Sequence, residues 1–157
     1  MRPYPEEVLR AIQTGIGAHF APEVKSTYGQ AQFAFSMLLF TLVQRDYDSA
    51  VPDLIEANAA IRTLLADAGA ALATIDRDDA RAARAAATAP PPPAASLRLS
   101  ALRAENEALR TIIGALTPVI EPAGDDAALA ALKPARAAIY AYLAADAKRR
   151  IFPILSA

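Results

Sequence analysis

Leu99–Ile120 reads LSALRAENEALRTIIGALTPVI, and the placing of its apolar residues decides the fold. Leu99, Leu102, Asn106, Leu109, Ile113, Leu116 and Ile120 follow one another at alternating steps of three and four. Residues so spaced share one face of a helix, and a long run of threes and fours is the seam of a helix packed lengthwise on its neighbours. The same rhythm occurs twice upstream. Leu54, Asn58, Ile61, Leu65, Ala68 and Leu72 form one seam, and Val24, Tyr28, Ala31, Phe35, Leu38 and Leu42 form another.

Around these seams the chain reads as helix nearly throughout. Alternating β-branched runs are absent, and Ala, Leu, Arg and Glu, all good helix formers, dominate. The first helix is expected from Pro5 to Phe20, with Pro5, Glu6 and Glu7 suited to its first turn. The second is expected from Pro22 to Tyr47. The third, capped by Asp48 or Ser49 with Pro52 in its first turn, should run to Leu72. The fourth starts after Ser96 and ends near Ile120, where Thr117-Pro118 bends it. The fifth spans Asp125 to Arg150, with Pro134 kinking or dividing it near Lys133. Residues 74–95 lack an apolar stripe and are expected to be a crossover loop, partly disordered or weakly helical by their Ala content, with four consecutive prolines, Pro90 to Pro93, as a stiff extended spacer. The expected architecture is all-α. It is a four-helix up-down bundle with an additional N-terminal helix and a long Pro-rich crossover between helices 3 and 4, residues 1–157 forming a single helical domain.

Composition narrows the chemistry. The 157 residues include no Cys, no Trp and one His, and are 54% hydrophobic. Disulfide, thiolate and common zinc chemistries need residues this chain lacks. Di-iron helical bundles use two Glu-x-x-His pairs, and the single His19 cannot supply them. Sixteen basic residues against seventeen acidic give a net charge of −1, without the basic excess that nucleic-acid binding demands. No Gly-rich phosphate loop is present, and no serine has a histidine to activate it. The expectation is therefore a non-enzymatic protein with no cofactor, no metal and no nucleic acid. Two Glu by position 7 break any signal-peptide pattern, and the longest apolar run, Phe33–Val43, is about half of the roughly 20 residues a membrane span needs. Cytoplasmic location without membrane contact is the expectation.

Asn58-Ala-Ala-Ile61-Arg62-Thr63-Leu64-Leu65 aligns without gaps on Asn106-Glu-Ala-Leu109-Arg110-Thr111-Ile112-Ile113. Both asparagines fall on seams, where an unpaired amide costs about 1–3 kcal/mol. Two readings stay open. The amides pair with each other and fix helix register. Alternatively, Asn58 and Asn106 line a polar pocket with Arg62 and Arg110 one turn on, Tyr28 on the second helix and Arg136 on the seam Leu129, Leu132, Arg136, Ile139, Leu143. Guanidinium groups beside amides suit a small anionic ligand, a carboxylate or a phosphate. Glu56 and Glu105 can also approach this layer.

The second helix carries more apolar surface than one seam requires. Phe33, Met37 and Phe40 form an additional stripe, with Leu39 and Val43 beside it, that either a further helix or a second subunit would cover. With the first helix short and glycine-containing, a homodimer through Phe33, Met37 and Phe40 is expected. Ile151, Phe152, Ile154 and Leu155, after a basic cluster, form an apolar tail suited to docking on a neighbour. The functional expectation is a homo-oligomeric interaction module or accessory subunit with a protein partner. The alternative is a binder of a small anionic ligand in the Asn–Arg layer.

Overall fold

The computed structural model describes residues 3–150, the side chain of Arg150 apart. The apolar tail Ile151, Phe152, Ile154 and Leu155 lies outside the described residues. Five α-helices follow in order: α1 (Pro5–His19), α2 (Thr27–Leu72), α3 (Asp78–Thr88), α4 (Leu99–Ile120) and α5 (Lys133–Arg150). Short 3-10 turns lie at Ala21–Glu23, Glu121–Gly124 and Ala127–Leu132, and no strand occurs among the described residues. The all-α expectation holds, but the helices are apportioned differently from the sequence reading. The chain divides into two compact units, Met1–Asp53 and Leu54–Ala157.

The expected second and third helices are one. α2 runs for 46 residues with Pro52 inside it. Proline lacks the N–H that a helix interior uses, and its ring crowds the preceding turn. Its presence at 52 suggested a new first turn, yet the ladder continues on both sides. The unit boundary falls one residue beyond it.

The first unit holds α1, the turn at Ala21–Glu23 and α2 as far as Asp53. Glu6 and Glu7 lie in the first turn of α1, where negative charge suits the helix dipole. Glu7 also accepts the Tyr4 backbone N–H at 3.0 Å. Gln13 Nε2 of α1 donates to Thr41 Oγ1 of α2 at 3.1 Å. No described residue of this unit is buried.

The second unit contains the core. Ile61, Leu65 and Leu72 of α2, Leu109 and Leu116 of α4, and Leu132 are its largest fully buried side chains. These are seam positions of the periodic stretches, apart from Leu132, which belongs to the seam expected for the last helix. Residues 78–88, within the stretch expected as a crossover that is partly disordered or weakly helical, form helix α3. Ala80, Ala83 and Ala87 recur at three and four and are buried. Their small side chains supply a face narrow enough to lie close against a neighbour. On α2, Gly69 serves the same end, since a Cβ there would stand 3.0 Å from Thr88 Cγ2. The start of α3 carries Asp78 and Asp79, with Asp79 accepting the Ala80 N–H.

α4 ends at Ile120 as expected but begins at Leu99, with Arg98 rather than the expected Ser96 at its N-cap, and Pro118 lies inside its last turn. Beside it, Thr117 Oγ1 donates to the Ile113 carbonyl at 2.9 Å. The expected fifth helix is divided at Lys133. Its first part is the 3-10 turn Ala127–Leu132, whose start is capped by Asp126 accepting from the Ala128 N–H at 2.8 Å. Pro134 then occupies the first turn of α5, where its missing N–H costs nothing.

Candidate functional site

Asn58 and Asn106 are the two buried polar side chains among the described residues, 4% and 7% exposed. The two echoing segments bring them face to face. Asn106 Nδ2 donates to Asn58 Oδ1 at 2.7 Å, and Asn58 Nδ2 donates to the Leu102 carbonyl at 3.2 Å. The correspondence extends along both helices. Ile61 and Leu65 are buried, as are Leu109 and Ile113. Thr63 and Thr111 each donate to the carbonyl four residues back. Arg62 and Arg110 each hold a carboxylate.

Arg62 extends the layer outward. Its Nη2 and Nε donate to Glu105 Oε1 at 2.7 and 3.1 Å, and Nη2 also donates to the Pro91 carbonyl at 2.8 Å. The second oxygen of Glu105 accepts the Ala94 N–H at 3.0 Å. Four prolines in a row offer no backbone donor, so the segment cannot build secondary structure and is held at Pro91 and Ala94 instead. Burial alone would push the Glu105 carboxyl up. The Ala94 N–H, the Arg62 guanidinium and the Asn58 amide outweigh it and hold Glu105 below the ordinary carboxylate range. Hydrogen bonds thus link the proline segment to Arg62 and Glu105, next to the Asn58–Asn106 pair.

Arg110 turns to α5. Its Nη1 donates to Asp146 Oδ2 at 2.7 Å, and this bond, against some burial, raises the guanidinium pKa above its ordinary value. Arg136 donates to Glu121 Oε1 at 2.9 Å and lies 4.9 Å from the centre of the Tyr140 ring. Tyr140 in turn donates its hydroxyl proton to the other Glu121 oxygen. That hydrogen bond to Tyr140, with Arg136, draws the Glu121 pKa down, while the same carboxylate raises the Tyr140 phenol. A cavity of about 40 Å³ lies beside Arg136, Tyr140 and Ile139. That is room for a water or two, far below a metabolite site.

Of the six residues the sequence suggested for a ligand, Asn58, Asn106 and Arg62 come together. Arg110 and Arg136 are engaged with separate carboxylates, and Tyr28 is a 75% exposed side chain of the first unit. Sequence reasoning missed Asp146, although it is the sole acid of α5. It also missed Pro91 and Ala94 as the points where the proline segment is pinned.

The first unit presents a different feature. Seven of the ten aromatic residues lie within it, none buried. Phe33, Met37 and Phe40, expected at a dimer interface, are half-buried, next to the Thr41 that bonds α1. The barest apolar stripe lies round the helix from them. Tyr28, Phe35, Leu39, Val43 and Tyr47 are each 45% or more exposed. From Ser26 to Gln44 there is no charged residue on any face.

Among the described residues no helix is long and apolar enough to cross a membrane, and no cluster of His, Asp or Glu could hold a metal ion. Comparison with models of known families, with curated proteins and with solved structures gives no match.

Proposed function

We propose that this chain is a helical interaction module that works as a homo-oligomer, in its simplest form a homodimer, through its N-terminal hairpin. One observation carries this reading: a unit with most of the chain's aromatic residues buries none of them. Burying apolar surface is worth about 25 cal/mol per Å², and helices depend on that packing more than on intrinsic propensity. A hairpin with a bare apolar face gains this from a partner surface, and exposed apolar patches of such extent mark interaction surfaces. A second copy carries the matching face by construction. Phe33, Met37 and Phe40 form the layer beneath it, and Tyr28, Phe35, Leu39, Val43 and Tyr47 meet the partner. An accessory role in a larger assembly would use the same surface.

The test is light scattering on the eluting protein. Wild type is expected at twice the chain mass of 16.5 kDa. Leu39→Asp, on the bare stripe, is expected to run as a helical monomer. A wild-type monomer, or a Leu39→Asp variant unchanged in size, contradicts the proposal.

A second reading rests on the buried amides. The Asn58–Asn106 pair with Arg62 beside it is a polar layer of the type that holds a small anion. Such a ligand would have to displace Glu105 from Arg62. Native mass spectra before and after denaturation test it: a retained mass of a few hundred daltons supports the reading, and its absence counts against it.

A further inference from the structure

Resting on the self-association just proposed, we infer that the two copies pair antiparallel along α2, with the two-fold axis near Leu38, so that the Tyr28 end of each stripe meets the Tyr47 end of the other.

Three features of the hairpin lead to this. The first is the layout of the stripe. Tyr28 and Tyr47 stand at its ends, Phe35 and Leu39 at its middle, and Gln32 and Val43 between. Reversing the helix about a point between Met37 and Leu38 sets Tyr28 level with Tyr47, Gln32 level with Val43 and Phe35 within one residue of Leu39. Large side chains then meet large ones at the rims, and the middle of the stripe closes on itself.

The second is charge. Ser26–Gln44 carries none, a span of about 27 Å at 1.5 Å per residue. Two copies laid antiparallel over it bring no like charges together. Just outside it, Lys25 of one copy comes level with Ala50 of the other, about four residues or 6 Å along the axis from Asp46 on the stripe face. A parallel in-register pair would instead set Lys25 against Lys25 and Asp46, seven residues after Leu39 on the same face of α2, against Asp46. Like charges held at close quarters disfavour that arrangement.

The third is which faces are free. Thr41 is bonded to α1, and Phe33, Met37 and Phe40 on that side are half-buried. The stripe centred on Phe35 and Leu39 lies on the opposite side of the helix. Two hairpins joined through it give a four-helix layer with the α2 segments central and the α1 helices outside.

The chain has no cysteine, so single introduced thiols report the geometry without background. Leu39→Cys, Tyr28→Cys and Tyr47→Cys variants of the full chain are treated with a short bis-maleimide after their masses are measured. In the antiparallel pair Leu39→Cys links to its own copy. Tyr28→Cys alone does not, because its two thiols stand about 28 Å apart along the axis. Tyr28→Cys mixed with Tyr47→Cys does link.

Efficient self-linking of Tyr28→Cys shows a parallel pair and overturns this inference while leaving self-association standing. A dimer that links at none of the three positions places the contact elsewhere and also overturns it. Wild type of monomer mass removes the underlying proposal, and the pairing with it.

Discussion

Asn58 and Asn106 show how one polar residue on an apolar seam constrains its neighbours. Removing one amide leaves the other buried without its partner. Asn106→Leu is expected to cost about 1–3 kcal/mol in urea denaturation. Asn58→Leu combined with Asn106→Leu is expected to cost less than the sum of the two single changes, because the orphaned amide is gone. Strict additivity would show that the two amides act separately. Glu105 adds a pH dependence. Its carboxyl keeps its charge to lower pH in the folded chain than in the unfolded one. Its contribution is therefore complete above the ordinary Glu value of about 4.3, and is lost as pH falls through the lower folded pKa. Acid is expected to release the Ala94 N–H, read as faster amide exchange after correction for the intrinsic rate. Glu105→Gln should remove that acid step, and an acid-insensitive Ala94 in wild type would contradict the pinning. Both asparagine positions are legible from the 3-4 spacing. Spacing within a helix does not say which helices face, so Arg62–Glu105 and Arg110–Asp146 are visible only once the helices have been assembled.

The elements differ from the sequence reading where small residues and prolines are involved. The stretch Asp78–Thr88 has no large apolar side chain, and by composition looks like linker. Ala80, Ala83 and Ala87 nevertheless form a face, because a helix with methyl side chains can approach its neighbours closely. Gly69 on α2 belongs to the same contact. Gly69→Val is expected to destabilise by about 1–3 kcal/mol through overpacking against Thr88. Gly114→Ala is the matched control. Nothing lies within 4 Å of a Cβ at 114, so the gain in helix propensity should stabilise by about 0.5–1 kcal/mol. Thermal denaturation of the pair decides the matter, and a Gly69→Val variant as stable as wild type would contradict the α2–α3 contact. Pro52 misled in the other direction. A proline after Asp48 and Ser49 is a sound start signal, yet the same residue sits within α2, and local sequence does not separate the two cases. Pro134 was informative in both settings, as the point where the last helical stretch divides.

At the scale of the molecule, apolar side chains are distributed unevenly. The second unit closes a core from the seams of α2 and α4, whereas the first leaves its aromatic residues uncovered. The surplus apolar surface on the second predicted helix was legible in Phe33, Met37 and Phe40. Leu39 and Val43 stand beside that stripe in the sequence reading, whereas Phe35 fits an internal seam and its exposure is visible only in the structure. Phe40→Asp and Leu39→Asp separate the two roles. Leu39→Asp should part the copies and leave circular dichroism unchanged, while Phe40→Asp should in addition lower helicity by loosening α1 from α2. Equal loss of helicity in both would contradict the assignment of faces.

The most direct test of self-association is native mass spectrometry of the wild-type chain across a dilution series. The expected result is a species of twice 16.5 kDa that gives way to single chains only on dilution. A single-chain mass at every concentration, with helicity intact, would contradict it.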